Sequence, residues 1–361
     1  MKKLYLALLC TAISGMANAK IWRVNNNTGV LANFTSIQAA VDAVTTLPGD
    51  TIHVEASGSG YGACYLTKRV VIIGAGYYLS ETAPMVANPK TEVNPNISFI
   101  NNMYFNPGSK GAVVSGMYIG SYCVIQDSLV TVQRCYIGGD VYFADSYTNY
   151  SGYADTIRQN VINGGLRAGY NSTGRWKTML IYNNIIYSPN GADFSGNINN
   201  VDGYIINNDF VYYYSAIGGN QTSMTSANIV YQNNIFGNVT FGAYQNSNVY
   251  FNNICKGTGI PAGNGNIQNV DAAAVVYKDW IGDGTGLSSD GRYALKTGGG
   301  NPAVGAGSLN GGPVDCGAFG GPAPYILSGM PNAPSIYALT VPTQINSGTN
   351  SMNITISSAS H

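Results

Sequence analysis

Ile157-Arg158-Gln159-Asn160-Val161-Ile162 is the stretch that decides the fold, because its pattern returns down the chain. It recurs as Ile181-Tyr182-Asn183-Asn184-Ile185-Ile186 and as Ile205-Ile206-Asn207-Asn208-Asp209-Phe210. Val230-Tyr231-Gln232-Asn233-Asn234-Ile235 and Val249-Tyr250-Phe251-Asn252-Asn253-Ile254 follow. Aligned on Asn160, Asn184, Asn208, Asn233 and Asn252, the steps are 24, 24, 25 and 19 residues. Upstream, Val132 to Ile137 keeps the frame with Cys135 in the Asn place, and Val114 to Ile119 keeps it with Met117.

A near-constant period of this size means stacked units that bury their apolar edges on one another. The apolar runs are short, β-branched and aromatic, so the units are strands. The reading is all-β: a right-handed single-stranded parallel β-helix, with coils about 4.8 Å apart. Asn at one place per coil has two physical reasons. It tolerates a left-handed corner, and its amide can bond to the Asn above and below.

Other patterns flank the repeat on both sides. Thr35 to Val44 predicts an N-terminal capping helix, with Thr35 and Gln38 as a capping box and Ile37, Ala40, Val41 and Val44 on one face. After Phe319, Pro322, Pro324, Pro331, Pro334 and Pro342 mark an irregular linker. Tyr337–Val341 and Met352–Ser357 then alternate like two strands. The expected organisation is a signal peptide over 1–19, a β-helix with its cap over 20–325, and a linker with a two-strand extension over 326–361.

The signal peptide rests on Lys2 and Lys3, the apolar run Leu4 to Ile13, and the cleavage motif Ala17-Asn18-Ala19. That run is too short to cross a bilayer, which takes about 20 residues. A secreted or outer-surface location follows, with no membrane span after cleavage. The remaining cysteines, Cys64, Cys123, Cys135, Cys255 and Cys316, have no zinc spacing and read as buried thiols.

Composition narrows the function. Lys+Arg and Asp+Glu balance at 17 each, and charged residues are 9% of the chain. There is no basic field for nucleic acid. Tyr is abundant at 27.

Ser36-Ile37-Gln38-Ala39-Ala40-Val41-Asp42-Ala43, then Gly49-Asp50-Thr51-Ile52-His53-Val54 and Val71-Ile72-Ile73-Gly74-Ala75-Gly76, resembles the opening of the pectate-lyase-like β-helix superfamily. Asn301-Pro302-Ala303-Val304-Gly305-Ala306-Gly307, with Asp315-Cys316-Gly317-Ala318-Phe319-Gly320-Gly321, resembles the closing coil of secreted Bacteroidetes β-helix proteins. The resemblance implies the fold. It leaves open whether the chain is a lyase, a hydrolase, an esterase or an adhesin.

Enzymes of this fold need clustered charge, such as a Lys or Arg base with carboxylate-held Ca²⁺, or paired carboxylates. From Thr178 to Cys255 there is no Lys or Arg. Arg134 to Lys177 is richer. There Arg158, Arg167 and Lys177 are candidate bases, and Asp145 and Asp155 are candidate Ca²⁺ ligands. Tyr147, Tyr150, Tyr153, Arg175 and Trp176 are candidate saccharide contacts. Gln126-Asp127-Ser128-Leu129 and Gly174-Arg175-Trp176 also resemble fragments of pectin methylesterase motifs, but Tyr142 stands where that pattern has its second Asp.

Two readings result. The first is a non-catalytic monomer that binds or displays a polysaccharide or a cell-surface component. The second is a lyase or hydrolase of a pectin- or alginate-like acidic polysaccharide. In the second, the charged residues must converge in one groove.

Overall fold

In the computed structural model the residues described are 19–359, apart from 80, 82–95, 144–150, 169–175, 188–191, 194–200, 212–226, 238–247, 281–287, 332–333, 343, 345–347 and 349–350. The signal-peptide segment lies outside them. The chain is a parallel β-helix. Each full coil lays one strand on each of three parallel sheets, which hold eleven, eight and six strands among the described residues. They are called sheets 1, 2 and 3 here, in the order the chain visits them. One coil reads Thr156–Arg158 on sheet 1, Val161–Ile162 on sheet 2 and Leu166–Ala168 on sheet 3.

The registers explain the sequence pattern. On sheet 1, Ile52, Ile72, Val114, Val132, Ile157, Ile181, Ile205, Tyr231 and Tyr250 fall in one inward row, nearly all of it fully buried. Each buried aliphatic side chain contributes about 1.5–3 kcal/mol. The five described cysteines are free, and all are buried. Burial pushes the thiols of Cys64 and Cys135 up to about 12, so they act as apolar filling.

The corner from sheet 1 to sheet 2 corrects the Asn frame. Two neighbouring positions divide the two tasks given above to a single Asn. Gln159, Asn183, Asn207, Asn233 and Asn252 carry the positive φ, between 51° and 56°. The next residue in each coil builds the buried ladder: Asn160, Asn184, Asn208, Asn234 and Asn253, ending on Asn266. Ladder steps are therefore 24, 24, 26, 19 and 13 residues, and Asn233 and Asn252 belong to the outer row. Each Oδ1 accepts both the backbone N–H and the amide of the Asn one coil before, at 2.9–3.1 Å. Cys135 joins through its backbone N–H, which donates to Asn160 Oδ1 at 2.9 Å. A fully satisfied polar row can be buried where an unpaired one could not.

The outer row holds the C-terminal segment. Asn233 donates to the Ser308 carbonyl, Asn207 to Asp315, Asn183 to Ala318 and Gly320, Gln159 to Pro324, and Arg134 to Met330. Residues 308–330 thus run back along the corner against the direction of coil growth. The segment read from sequence as a closing coil is instead a strap. It covers the far part of sheet 2, where Val161, Ile185, Ile235 and Ile254 share a second apolar cluster with Tyr277, Tyr293 and Tyr325.

Helix α1 (Ile37–Asp42) caps the N-terminal end, burying Ile37, Ala40 and Val41. Its N-cap is Ser36, whose Oγ accepts from Ala39 N–H at 3.1 Å, and not Thr35. Gln38 does not reach back as a capping box. It exchanges hydrogen bonds with the backbone of Tyr65. Val44 lies past the helix and is exposed. Ser335–Thr340 and Thr355–Ala359 form the antiparallel C-terminal extension. No helix among the described residues is long and apolar enough to cross a membrane.

Candidate functional site

A site on a solenoid needs an outward row that nothing covers. Much of sheet 2 fails this, because the strap lies on it. The outward row of sheet 1 includes Gln133, Arg158 and Tyr182. These three bond to one another: the Arg158 guanidinium donates to Gln133 Oε1 and to the Tyr182 hydroxyl. That is a row of inter-coil contacts with no carboxylate in it.

Sheet 3 is different. Its strands are Cys64–Leu66, Met103–Phe105, Cys123–Ile125, Val141–Phe143, Leu166–Ala168 and Ala192–Asp193. The middle residues of the first five fall in one row, Tyr65, Tyr104, Val124, Tyr142 and Arg167, in which Val124 is buried; backbone register continues it to Asp193. Flanking residues such as Leu66, Phe105, Val141 and Phe143 are buried, since strand side chains alternate. Tyr65 and Tyr104 stack with ring centroids 4.7 Å apart and planes 5° apart. Tyr65 is 44% exposed. Tyr122, in the turn before the third strand, is equally open and meets Tyr142 edge-on at 5.6 Å. Four tyrosines therefore cross consecutive coils.

Charge enters at the far end of this strip. Asp140 Oδ1 accepts from Gly165 N–H at 2.7 Å. Its Oδ2 accepts from the Tyr142 hydroxyl at 3.0 Å and pairs with Arg167 Nε at 2.9 Å. Burial, then the adjacent Asp140 carboxylate, pushes the Tyr142 hydroxyl up to about 12, so it stays protonated and donates. The carboxylate is held by three groups, and the guanidinium is paired. What this arrangement offers is a rigid aromatic strip ending in a fixed polar cluster.

The candidates from sequence do not converge. Arg158 belongs to sheet 1 and Arg167 to sheet 3. Lys177 is exposed on the sheet 1 strand Trp176–Tyr182, opposite Tyr153. Tyr153 is exposed and takes Lys110 Nζ over its ring at 5.0 Å. Two assignments need correction. Trp176 is fully buried, packed at 5.7 Å on Phe143, so it is core and not a saccharide contact. Gly152 lies flat on it, where a Cβ would come within 1.8 Å of the indole. Asp155 is also fully buried and cannot reach a surface Ca²⁺; its Oδ1 accepts from Val130 N–H at 2.9 Å. Asp145, Tyr147, Tyr150 and Arg175 lie outside the described residues. No three His, Cys, Asp or Glu side chains gather as a metal site among the described residues. Asp127, in the methylesterase-like fragment, accepts from the N–H groups of Gly108, Lys110 and Ser128 and shapes a turn.

Sequence reasoning missed Tyr65, Tyr104, Tyr122 and Tyr142. A signal existed for three of them, in the triplets Cys64-Tyr65-Leu66, Met103-Tyr104-Phe105 and Val141-Tyr142-Phe143. Each is a Tyr between two inward apolar residues. No model of a known protein family matches the chain, and comparison with curated proteins finds no match either.

Proposed function

We propose that the chain is a secreted or surface-displayed β-helix, of the pectate-lyase-like kind found in Bacteroidetes, that binds a polysaccharide along sheet 3 without cleaving it. The observation that carries this reading is the parallel Tyr65–Tyr104 stack, half open to solvent and continued by Tyr122 and Tyr142. The outer edges of the stacked rings, with the exposed Tyr122 beside them, offer apolar area next to hydroxyls, which matches the C–H groups and hydroxyl rim of a sugar chain. The strip crosses the coils, so an extended chain lies along the solenoid axis over several tyrosines. The locked Asp140–Tyr142–Arg167 cluster supplies hydrogen bonds at one end. The signal-like residues 1–19 support export. Retention in a polysaccharide gel, compared with the Tyr104→Ala variant, tests the reading.

One observation favours a second reading, a lyase or hydrolase. Backbone register sets Asp193 beside Arg167 in the row that already holds Tyr142, with Asp140 accepting from the Tyr142 hydroxyl and ion-paired with Arg167. Release of unsaturated or reducing ends from pectate or alginate, lost in Asp193→Asn, would favour it over binding alone.

A further inference from the structure

The outward row of sheet 2 begins before the strap's cover. Its first members, Phe99, Tyr118 and Tyr136, are partly exposed, and Phe99–Tyr118 and Tyr118–Tyr136 centroids lie 5.5 and 4.3 Å apart. Over Phe99 and Tyr118 opens a cleft of about 460 Å³, within the roughly 300–1,000 Å³ of small-molecule sites. Tyr78, Glu81 and the loop 57–60 also line it.

The lining is built, not loose. Ser57 N–H donates to the Ile97 carbonyl at 3.1 Å, and Tyr61 N–H to Phe99 at 2.9 Å. The Asn26 amide holds the Ser59 and Gly60 carbonyls. Gly60 sits so close to the floor that a Cβ would come within 2.7 Å of Phe99. Both Glu81 oxygens accept from Ser289, one from its N–H at 2.7 Å and one from its hydroxyl at 2.8 Å. The carboxylate is thereby fixed at the rim of an aromatic floor.

We infer that this cleft is a second binding site, for a single sugar ring that carries no acid group. Aromatic rings on the floor suit the apolar face of a pyranose. Ser59 and Glu81 supply rim groups for its hydroxyls, and Glu81 accepts from them; the buried Ser57 hydroxyl, bonded to Asn27 and to Ser59 N–H, shapes the loop instead. Glu81 is the carboxylate of the described lining, so a uronate meets a like charge there. The site is on a different sheet from the tyrosine strip and stands without it.

The test is saturation-transfer NMR with glucose and glucuronate, which differ only in oxidation at C6. It uses the Tyr104→Ala chain, so that the sheet 3 strip does not contribute. Glucose should give a signal in that chain. The signal should fall at least about fivefold on adding Tyr118→Ala, and likewise on adding Gly58→Trp, which fills the cleft from a position where a Cβ meets nothing within 4 Å. Glucuronate should bind at least about fivefold more weakly than glucose. If Tyr118→Ala lowers the melting transition, Gly58→Trp decides. No glucose signal, a signal indifferent to Gly58→Trp, or glucuronate binding as strongly as glucose overturns the inference. None of these outcomes bears on polysaccharide retention by sheet 3, which fails separately if Tyr104→Ala leaves it unchanged.

Discussion

The side-chain amide of Asn207 donates to the carbonyl of Asp315, 108 residues downstream, at 2.8 Å. Asn207 sits at a left-handed corner, with φ at 53°, and hooks the returning strap there. Asn207→Gly keeps the corner conformation and removes the hook. It should cost about 1–2 kcal/mol in urea unfolding. Proteolytic cleavage within 308–330 should also become faster, and unchanged cleavage would show that the strap does not depend on this contact.

Asn184 is one residue away from such a corner, yet its loss should be the larger. Its amide and Oδ1 are buried in the ladder and bond to Asn160, Asn208 and the Ile157 carbonyl. Asn184→Ala leaves buried N–H groups without partners and should cost roughly 2–4 kcal/mol. Comparing the midpoints of Asn183→Ala and Asn184→Ala checks the division of labour between the two rows. Equal costs would contradict it.

Gly152→Ala should disturb the core at a distance from any charge. The added Cβ would meet the fully buried Trp176 ring, which packs on Phe143 at 5.7 Å. Overpacking of this kind costs about 1–3 kcal/mol. Tryptophan emission should shift to the red as the indole is displaced. An unshifted spectrum with full stability would place Trp176 differently.

Asp155 makes stability depend on pH. Burial pushes its carboxyl up to about 8 in the folded chain, against 3.8 as the ordinary value. Below pH 3.8 both folded and unfolded states hold the proton, and the folded state loses nothing. Between there and about 8 only the folded state holds it, so stability falls as pH rises, by at most roughly 1.4 kcal/mol per pH unit for one site. Burial also raises Asp209 and Asp290, with the same sign. Asp155→Asn should therefore gain on the parent chain between pH 4 and pH 8 in paired thermal melts. A difference that does not change with pH would contradict the buried neutral acid.

The fold was legible because a solenoid writes its period into the chain. The inward Ile and Val residues and the Asn pairs recur once per coil, and local chemistry dictates both. What misled was a one-residue slip at Asn233 and Asn252. Where two Asn stand together, letters alone do not say which turns the corner and which enters the ladder. Asn301 to Gly321 has the composition of a coil, while the partners of the strap lie 75 to 196 residues upstream, where local sequence does not reveal them. The charged residues near Lys177 misled for a related reason. A coil of 24 residues visits three faces, so Arg158 and Arg167 are close in sequence and apart in space. The tyrosine strip went unread since its members are 18 to 39 residues apart and differ in coil length, with Val124 interrupting them.

The most direct measurement on the central proposal is affinity electrophoresis of the mature chain through gels containing a neutral glucan, pectate or alginate, with a product assay on the same mixtures. At least one polysaccharide should retard the parent chain. Tyr104→Ala and Tyr65→Ala should each lose that retardation by roughly tenfold or more in apparent affinity, about 1.4 kcal/mol, while Tyr153→Ala keeps it. No new chain ends should appear. Retardation that survives both strip variants, or steady release of cleaved product, would contradict a non-catalytic tyrosine strip on sheet 3.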